Sequence, residues 1–225
     1  MSMPFYVPPE QLVKDKADFA RKGIARGRAL IAMRYDGGIV LVAENASNTL
    51  RKISEIYDRI AFAGVGKYNE FDSLRQSGIR AADLTGYQFS RRDVDGRSLA
   101  NQYGQIIGQA FTHESKPLEV EILIAEVGIT AESDCMYHIS FDGTVSDEKA
   151  FCVLGGDDAS ITTRLQESTV TDSTLKSSVQ RAAAALAGPD RTLSADDLEV
   201  AILSRTSQRR CFSRVTDADI SEMLS

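Results

Sequence analysis

The sequence predicts an α+β protein. The expected architecture is a four-layer αββα sandwich, two sheets face to face with helices outside each, with one extra helix at the N-terminus. Three observations carry that expectation. Groups of antiparallel strand candidates alternate with pairs of helix candidates, an order that a doubly wound βαβ sheet does not produce. The strand candidates, such as "GIVLVAE" (38–44) and "IAFAGVG" (60–66), are apolar almost throughout, which calls for cover on both faces. The chain has 225 residues, 43% of them apolar, enough for one large domain with its own core.

Residues 1–9 are apolar, proline-ended and without periodicity, the pattern of a tail. From Glu10 to about Arg26 the period turns helical: Val13, Ala17, Ala20 and Ile24 recur on one stripe. Gly23 and Gly27 weaken the end of that helix. "ALIAMRY" and "GIVLVAE" then read as a hairpin turned by "DGG". A polar loop leads to a second hairpin, "KISEIY" and "IAFAGVG", turned by "DR".

Two helices follow. The first is expected to start at Asn69 as its cap, with Phe71, Leu74, Ile79 and Ala82 inward. The second is expected to start at Asp93 or Asp95, with Leu99, Tyr103, Ile106 and Ala110 on one stripe. "VEILIAEVG", "CMYHISFDG" and "EKAFCVLGG" read as three strands. Helices over about 158–169 and 172–187 come next, the latter ending before Gly188-Pro189. "LEVAILSR" and "CFSRVT" form a last strand pair, and "DADISEML" a terminal helix.

The bulk chemistry excludes several classes. A net charge of −6 and a pI near 5.1 argue against a nucleic-acid partner. No apolar run approaches the roughly 20 residues of a membrane span, so no membrane association is expected. No basic-then-apolar leader opens the chain. The three cysteines, Cys135, Cys152 and Cys211, are odd in number and widely spaced, which fits reduced thiols and a cytoplasmic location. Cys135 and His138 form a C-x-x-H without a second pair, and an i, i+3 spacing on a strand points them to opposite faces. No metal site and no cofactor are therefore expected. No Walker A or other Gly-rich nucleotide loop is present, nor a G-x-S-x-G elbow for the histidines to serve.

Three segments, "ARKGIARGRALIAMRYDGGIVLVAEN", "KISEIYDRIAFAGVGKYNEFDSLR" and "KPLEVEILIAEVG", resemble α-type subunits of the 20S proteasome, most of all those of the actinobacterial branch. The resemblance spans nearly the whole chain and is dense between Ala20 and Gly128. It implies the same αββα sandwich, that of N-terminal-nucleophile hydrolases. It also implies a seven-membered ring of α-subunits stacked on a ring of catalytic β-subunits. In the β-subunits a threonine at the head of the opening hairpin is the nucleophile, with its own α-amine as base.

Matched hairpin to hairpin, the nucleophile position of this chain is Arg28. The supporting aspartate position is Glu44, and the supporting lysine falls near Lys52. No nucleophile stands at the head, so no catalytic residue is expected. The rival expectation, a self-compartmentalised hydrolase with its own activity, would need a Thr, Ser or Cys there. A free-standing binding module of the same fold would leave ring surface exposed.

The resemblance gives the front of the chain another role. Residues 1–9 become a gating tail ahead of a single domain over 10–225. Met1, Ser2, Met3, Pro4, Phe5, Tyr6 and Val7 are the expected gate, closing the ring's axial pore to unfolded protein substrates. The Tyr-Asp-Arg motif that holds the open gate in many relatives is replaced by "FYVPPEQ". Lys52 and Gly64 match a lysine and a glycine of a pocket between neighbouring α-subunits. There the lysine pairs with the C-terminal carboxylate of a hexameric AAA ATPase activator, a charge-assisted hydrogen bond.

Overall fold

The computed structural model describes residues 8–47, 49–168 and 173–225. The expected gate, Met1–Val7, lies outside the described residues.

Helix α1 (Pro9–Ala25) opens with a proline at its first position, where no N–H is needed. The first hairpin is β1 (Leu30–Tyr35) and β2 (Gly38–Glu44), and the second is β3 (Ile53–Tyr57) and β4 (Ile60–Gly66). Helices α2 (Tyr68–Gln88) and α3 (Gly96–His113) follow. Strands β5 (Val120–Glu126), β6 (Cys135–Ile139), β7 (Val145–Asp147) and β8 (Phe151–Leu154) lead to α4 (Asp158–Glu167) and α5 (Leu175–Ala187). Strands β9 (Leu198–Ser204) and β10 (Phe212–Arg214) and helix α6 (Asp217–Leu224) complete the order.

The strands form two antiparallel sheets, ordered β10-β9-β2-β1-β8 and β3-β4-β5-β6-β7. Every residue of β2 is buried, and the alternation explains why. Ile39, Leu41 and Ala43 face the space between the sheets, where they meet Ala61, Ala63 and Leu123 of the other sheet. Val40 and Val42 face outward, under Val179, Ala182 and Leu186 of α5. On the second sheet, Phe62, Ile122 and Ile124 face outward under Phe71 and Leu74 of α2 and Tyr103 and Ile107 of α3. Strands that are buried on both faces have no polar face to show in sequence. The expected αββα sandwich with its extra N-terminal helix is the observed fold.

Several local expectations need correction. Asn69 does not cap α2: the helix starts at Tyr68, with Lys67 at the cap and no side-chain cap hydrogen bond. Gly66, at φ +97°, turns the chain from β4 directly into that helix, so an Asx cap has no place. On α3 the fully buried isoleucine is Ile107, while Ile106 packs only at the margin. Asp95 is the α3 cap, accepting from the Ser98 N–H at 2.8 Å. On α1, Ala20 and Ile24 are buried, but Val13 is 53% exposed. The short strand β7 has no expected counterpart; its "VSD" carries little apolar signal. The expected end of α4 at 169 and start of α5 at 172 fall outside the described residues. Among the described residues no helix is long and apolar enough to cross a membrane.

Candidate functional site

The head of the opening hairpin sits at one corner of the sandwich, and β9 brings a second carboxylate to it. Glu44 ends β2 opposite Leu198, and Ala43 pairs with Glu199. Arg28, two residues before β1, donates from Nη1 to Glu44 Oε1. Arg191 donates to both oxygens of Glu44, at 2.7 and 3.3 Å. A carboxylate with 11% of its side chain exposed is thus held by two guanidinium groups.

Glu199, 2% exposed, is satisfied more completely. It accepts from the backbone N–H groups of Lys52 (2.9 Å) and Ile53 (3.2 Å), from Asn45 Nδ2 (2.7 Å) and from Arg214 Nη1 (2.7 Å). A buried charge persists only when its lone pairs are filled in this way. The consequence is positional: Glu199, on one sheet, pins the start of β3, on the other, and so fixes where Lys52 stands.

The Lys52 ammonium turns back into the corner. Nζ donates to the carbonyls of Arg28 (2.7 Å) and Glu44 (3.0 Å). Burial lowers its pKa from 10.5 to about 8, against the pull of Glu199 and Glu44 and with the repulsion of Arg28. Among the described residues, two of its three N–H donors are engaged. Arg28, Lys52, Arg191 and Arg214 here face Glu44, Glu199 and the nearby Asp197, so cations outnumber carboxylates at the corner.

The three positions that would form a nucleophilic centre are therefore brought together, but with the wrong chemistry. The head residue is a guanidinium, which has no lone pair to attack a carbonyl and no pKa near neutrality. Its backbone nitrogen is within a chain that continues back into α1, so no free amine stands beside it.

Gly64 lies next to Lys52 through the backbone, its N–H donating to the Lys52 carbonyl at 3.0 Å. The strand turns the position's side-chain direction the other way. A Cβ added there would fall 2.8 Å from Phe71 Cγ, so Gly64 lets α2 lie flat on β4 and does not face the ammonium.

In front of the hairpin, α1 lies across the open end of the inter-sheet space, where Ala20 and Ile24 close the core. Lys16 Nζ donates to the Phe111 and Glu114 carbonyls at 3.0 and 2.6 Å, tying α1 to the end of α3. Among its exposed charged and polar residues, α1 also leaves three large apolar side chains outside: Leu12, Val13 and Phe19 are 46–53% exposed.

A model of the proteasome subunit family matches residues 24–203. The chain belongs to that family. Similar relatives, each named proteasome subunit alpha, come from Acidimicrobium ferrooxidans (56% identical, 100% of this chain and 97% of the relative), Sanguibacter keddieii (54%, 100% and 90%) and Thermobifida fusca (52%, 100% and 91%). Within the proteasome subunit family the chain is thus of the α type, like relatives from actinobacteria, and is not the catalytic subunit. The cationic hairpin head gives the physical side of that distinction.

Sequence reading missed two features of this family member. Glu199 is a strand residue 147 positions from Lys52, and only the pairing of β9 with β2 brings them together. His138 has its chemical neighbours on β8 and the preceding link, at Cys152 and Glu148, not at Cys135. Cys135 is half-exposed and directs its Sγ to the Ser133 carbonyl, 3.6 Å away.

Proposed function

We propose that this α-type subunit forms the outer, seven-membered ring of a 20S core particle, gates entry of unfolded protein to a ring of catalytic β-subunits, and docks a hexameric AAA ATPase. The observation that carries this reading is the pairing of an inert hairpin head with an extra helix that leaves three large apolar side chains exposed. Leu12, Val13 and Phe19 are the surface that a different patch of a neighbouring copy would cover, since closed rings are built from heterologous, head-to-tail contacts. The segment Met1–Val7 leads directly into that helix and is the proposed gate across the pore. Lys52 is the proposed receptor for the activator's C-terminal carboxylate: the cationic excess of its corner favours an incoming anion, and its remaining N–H can meet one. Gly64 joins that site through the backbone of β4. The three free cysteines, Cys135, Cys152 and Cys211, support a reducing, cytoplasmic setting.

The test uses core particles assembled with β-subunits. Lys52→Ala should weaken ATPase-stimulated degradation of a folded substrate and leave cleavage of short peptides unchanged. Equal loss of both would remove the docking role. Deleting Met1–Val7 should speed peptide entry, and an unchanged peptidase rate would remove the gate.

A further inference from the structure

Away from the Glu199 corner, the space between the two sheets carries a second polar cluster along the edge where β6 of one sheet faces β8 of the other. His138 on β6 pairs with Leu123, a residue of the inter-sheet core. Cys152 on β8 pairs with Ala32 and lies in the same core. Glu148 stands on the link between β7 and β8. One ligating atom from each of His138, Glu148 and Cys152 lies within 4.8 Å of the others. Glu121 of β5, two residues from Leu123 and on its face, brings Oε2 to 3.9 Å from His138 Nε2. That nitrogen is shielded from solvent and has no hydrogen-bond partner among the described residues, a costly state for a buried polar atom. The carboxylates are themselves held: Ser146 Oγ donates to Glu148 Oε1 at 3.0 Å, and the Gly155 N–H donates to Glu121.

We propose that His138, Glu148 and Cys152, with Glu121 as the fourth donor, bind a zinc-like divalent metal ion at this edge of the inter-sheet space. An imidazole, a thiolate and carboxylates form a borderline-soft donor set, which selects zinc over magnesium or calcium. Tetrahedral zinc with bonds of about 2.0–2.3 Å separates its donors by about 3.3–3.8 Å. The His138, Glu148 and Cys152 donors therefore close by about 1 Å on binding, within the reach of small χ rotations, and the Glu121 carboxylate swings in beside His138 to complete the shell. Metal binding expels the thiol proton, and the Glu121 proton where present, to solvent, and the ion's charge replaces them. The bound ion would staple β6 to β8, the point where the chain crosses from one sheet to the other.

The experiment takes the full-length chain without an affinity tag, stripped with a chelator, and titrates it with Co²⁺ and then Zn²⁺. The expected result is one equivalent of Co²⁺ with tetrahedral d–d bands and a thiolate-to-cobalt charge-transfer absorption, both displaced by Zn²⁺. Cys152→Ala abolishes the charge-transfer band and weakens Zn²⁺ binding by about 100-fold or more, while Cys135→Ala changes neither. Where circular dichroism shows that Cys152→Ala does not fold, His138→Gln and Glu148→Gln take its place, with the same loss of affinity expected. The proposal is overturned if wild type shows no charge-transfer band, if a folded site variant binds Zn²⁺ as tightly as wild type, or if Cys135→Ala removes the band.

Discussion

The hairpin-head corner and the outer face of α1 are built in opposite ways. At the corner both carboxylates are turned inward and filled: Glu44 is clasped by Arg28 and Arg191, and Glu199 by two backbone amides, Asn45 and Arg214. On α1 the large apolar residues Leu12, Val13 and Phe19 are left outside, although burying each would be worth about 1.5–3 kcal/mol. The corner that in a hydrolase of this fold must stay open for a nucleophile is closed with ion pairs. The surface that in a monomer should be polar is left apolar. On the proposed reading, chemistry has been exchanged for contact in this α-type subunit, and the two regions record the two sides of that exchange.

The contrast breaks first, and most completely, at α1. Substituting Leu12, Val13 and Phe19 together by Ser should abolish ring formation, read as loss of the high-mass species in size-exclusion chromatography. The isolated subunit should change little, because half-exposed surface positions cost within about 0.5 kcal/mol each. Rings that form normally would mean that these residues face solvent for no associative reason.

The corner should fail in the other direction, through stability. Glu199→Ala removes the acceptor of the Lys52 and Ile53 backbone N–H groups and of one Arg214 N–H, a change expected to cost about 1–3 kcal/mol for each buried group left unsatisfied. Chemical denaturation of the isolated subunit reads this directly. A cost below about 1 kcal/mol, the range of surface ion pairs, would show that the corner is solvated and its closure incidental.

The smallest effect sharpens the role of Lys52. Its folded pKa of about 8 lies below the ordinary 10.5. Between those values the unfolded chain holds a proton that the folded chain has released, so the contribution of Lys52 to stability rises with pH across that window and is at its lowest below it. In Lys52→Met that rise is absent. The stability difference, wild type minus variant, should therefore grow from about pH 8 to 10.5. A flat difference would place the ammonium in water.

The fold was legible in the sequence because its strands are covered on both faces: "GIVLVAE" and "IAFAGVG" admit no polar face, and helix pairs between strand groups leave few architectures. The inert head was legible for the same local reason, since Arg28 can be read at the hairpin without knowing any contact. What escaped notice depended on the third dimension. Glu199 looks like an isolated acid within an apolar strand until β9 is laid beside β2. Asn69 looks like a cap until the chain is seen to turn at Gly66, which puts the cap at Lys67, two residues earlier. Ile106 and Ile107 differ by one step on α3, and only packing against the second sheet chooses between them. The apolar stripe assigned to α1 placed Val13 inward, whereas the helix overhangs the sandwich and exposes it.

The central claim is that this chain contributes contact and control, and its β-partners the chemistry. Native mass spectrometry of the chain co-expressed with a β-subunit, combined with a fluorogenic peptide assay, tests it most directly. The account predicts a particle of four stacked sevenfold rings whose peptidase activity disappears when only the β-threonine is replaced. Peptide cleavage that survives that replacement, or an α-chain that stays monomeric beside β, would contradict it.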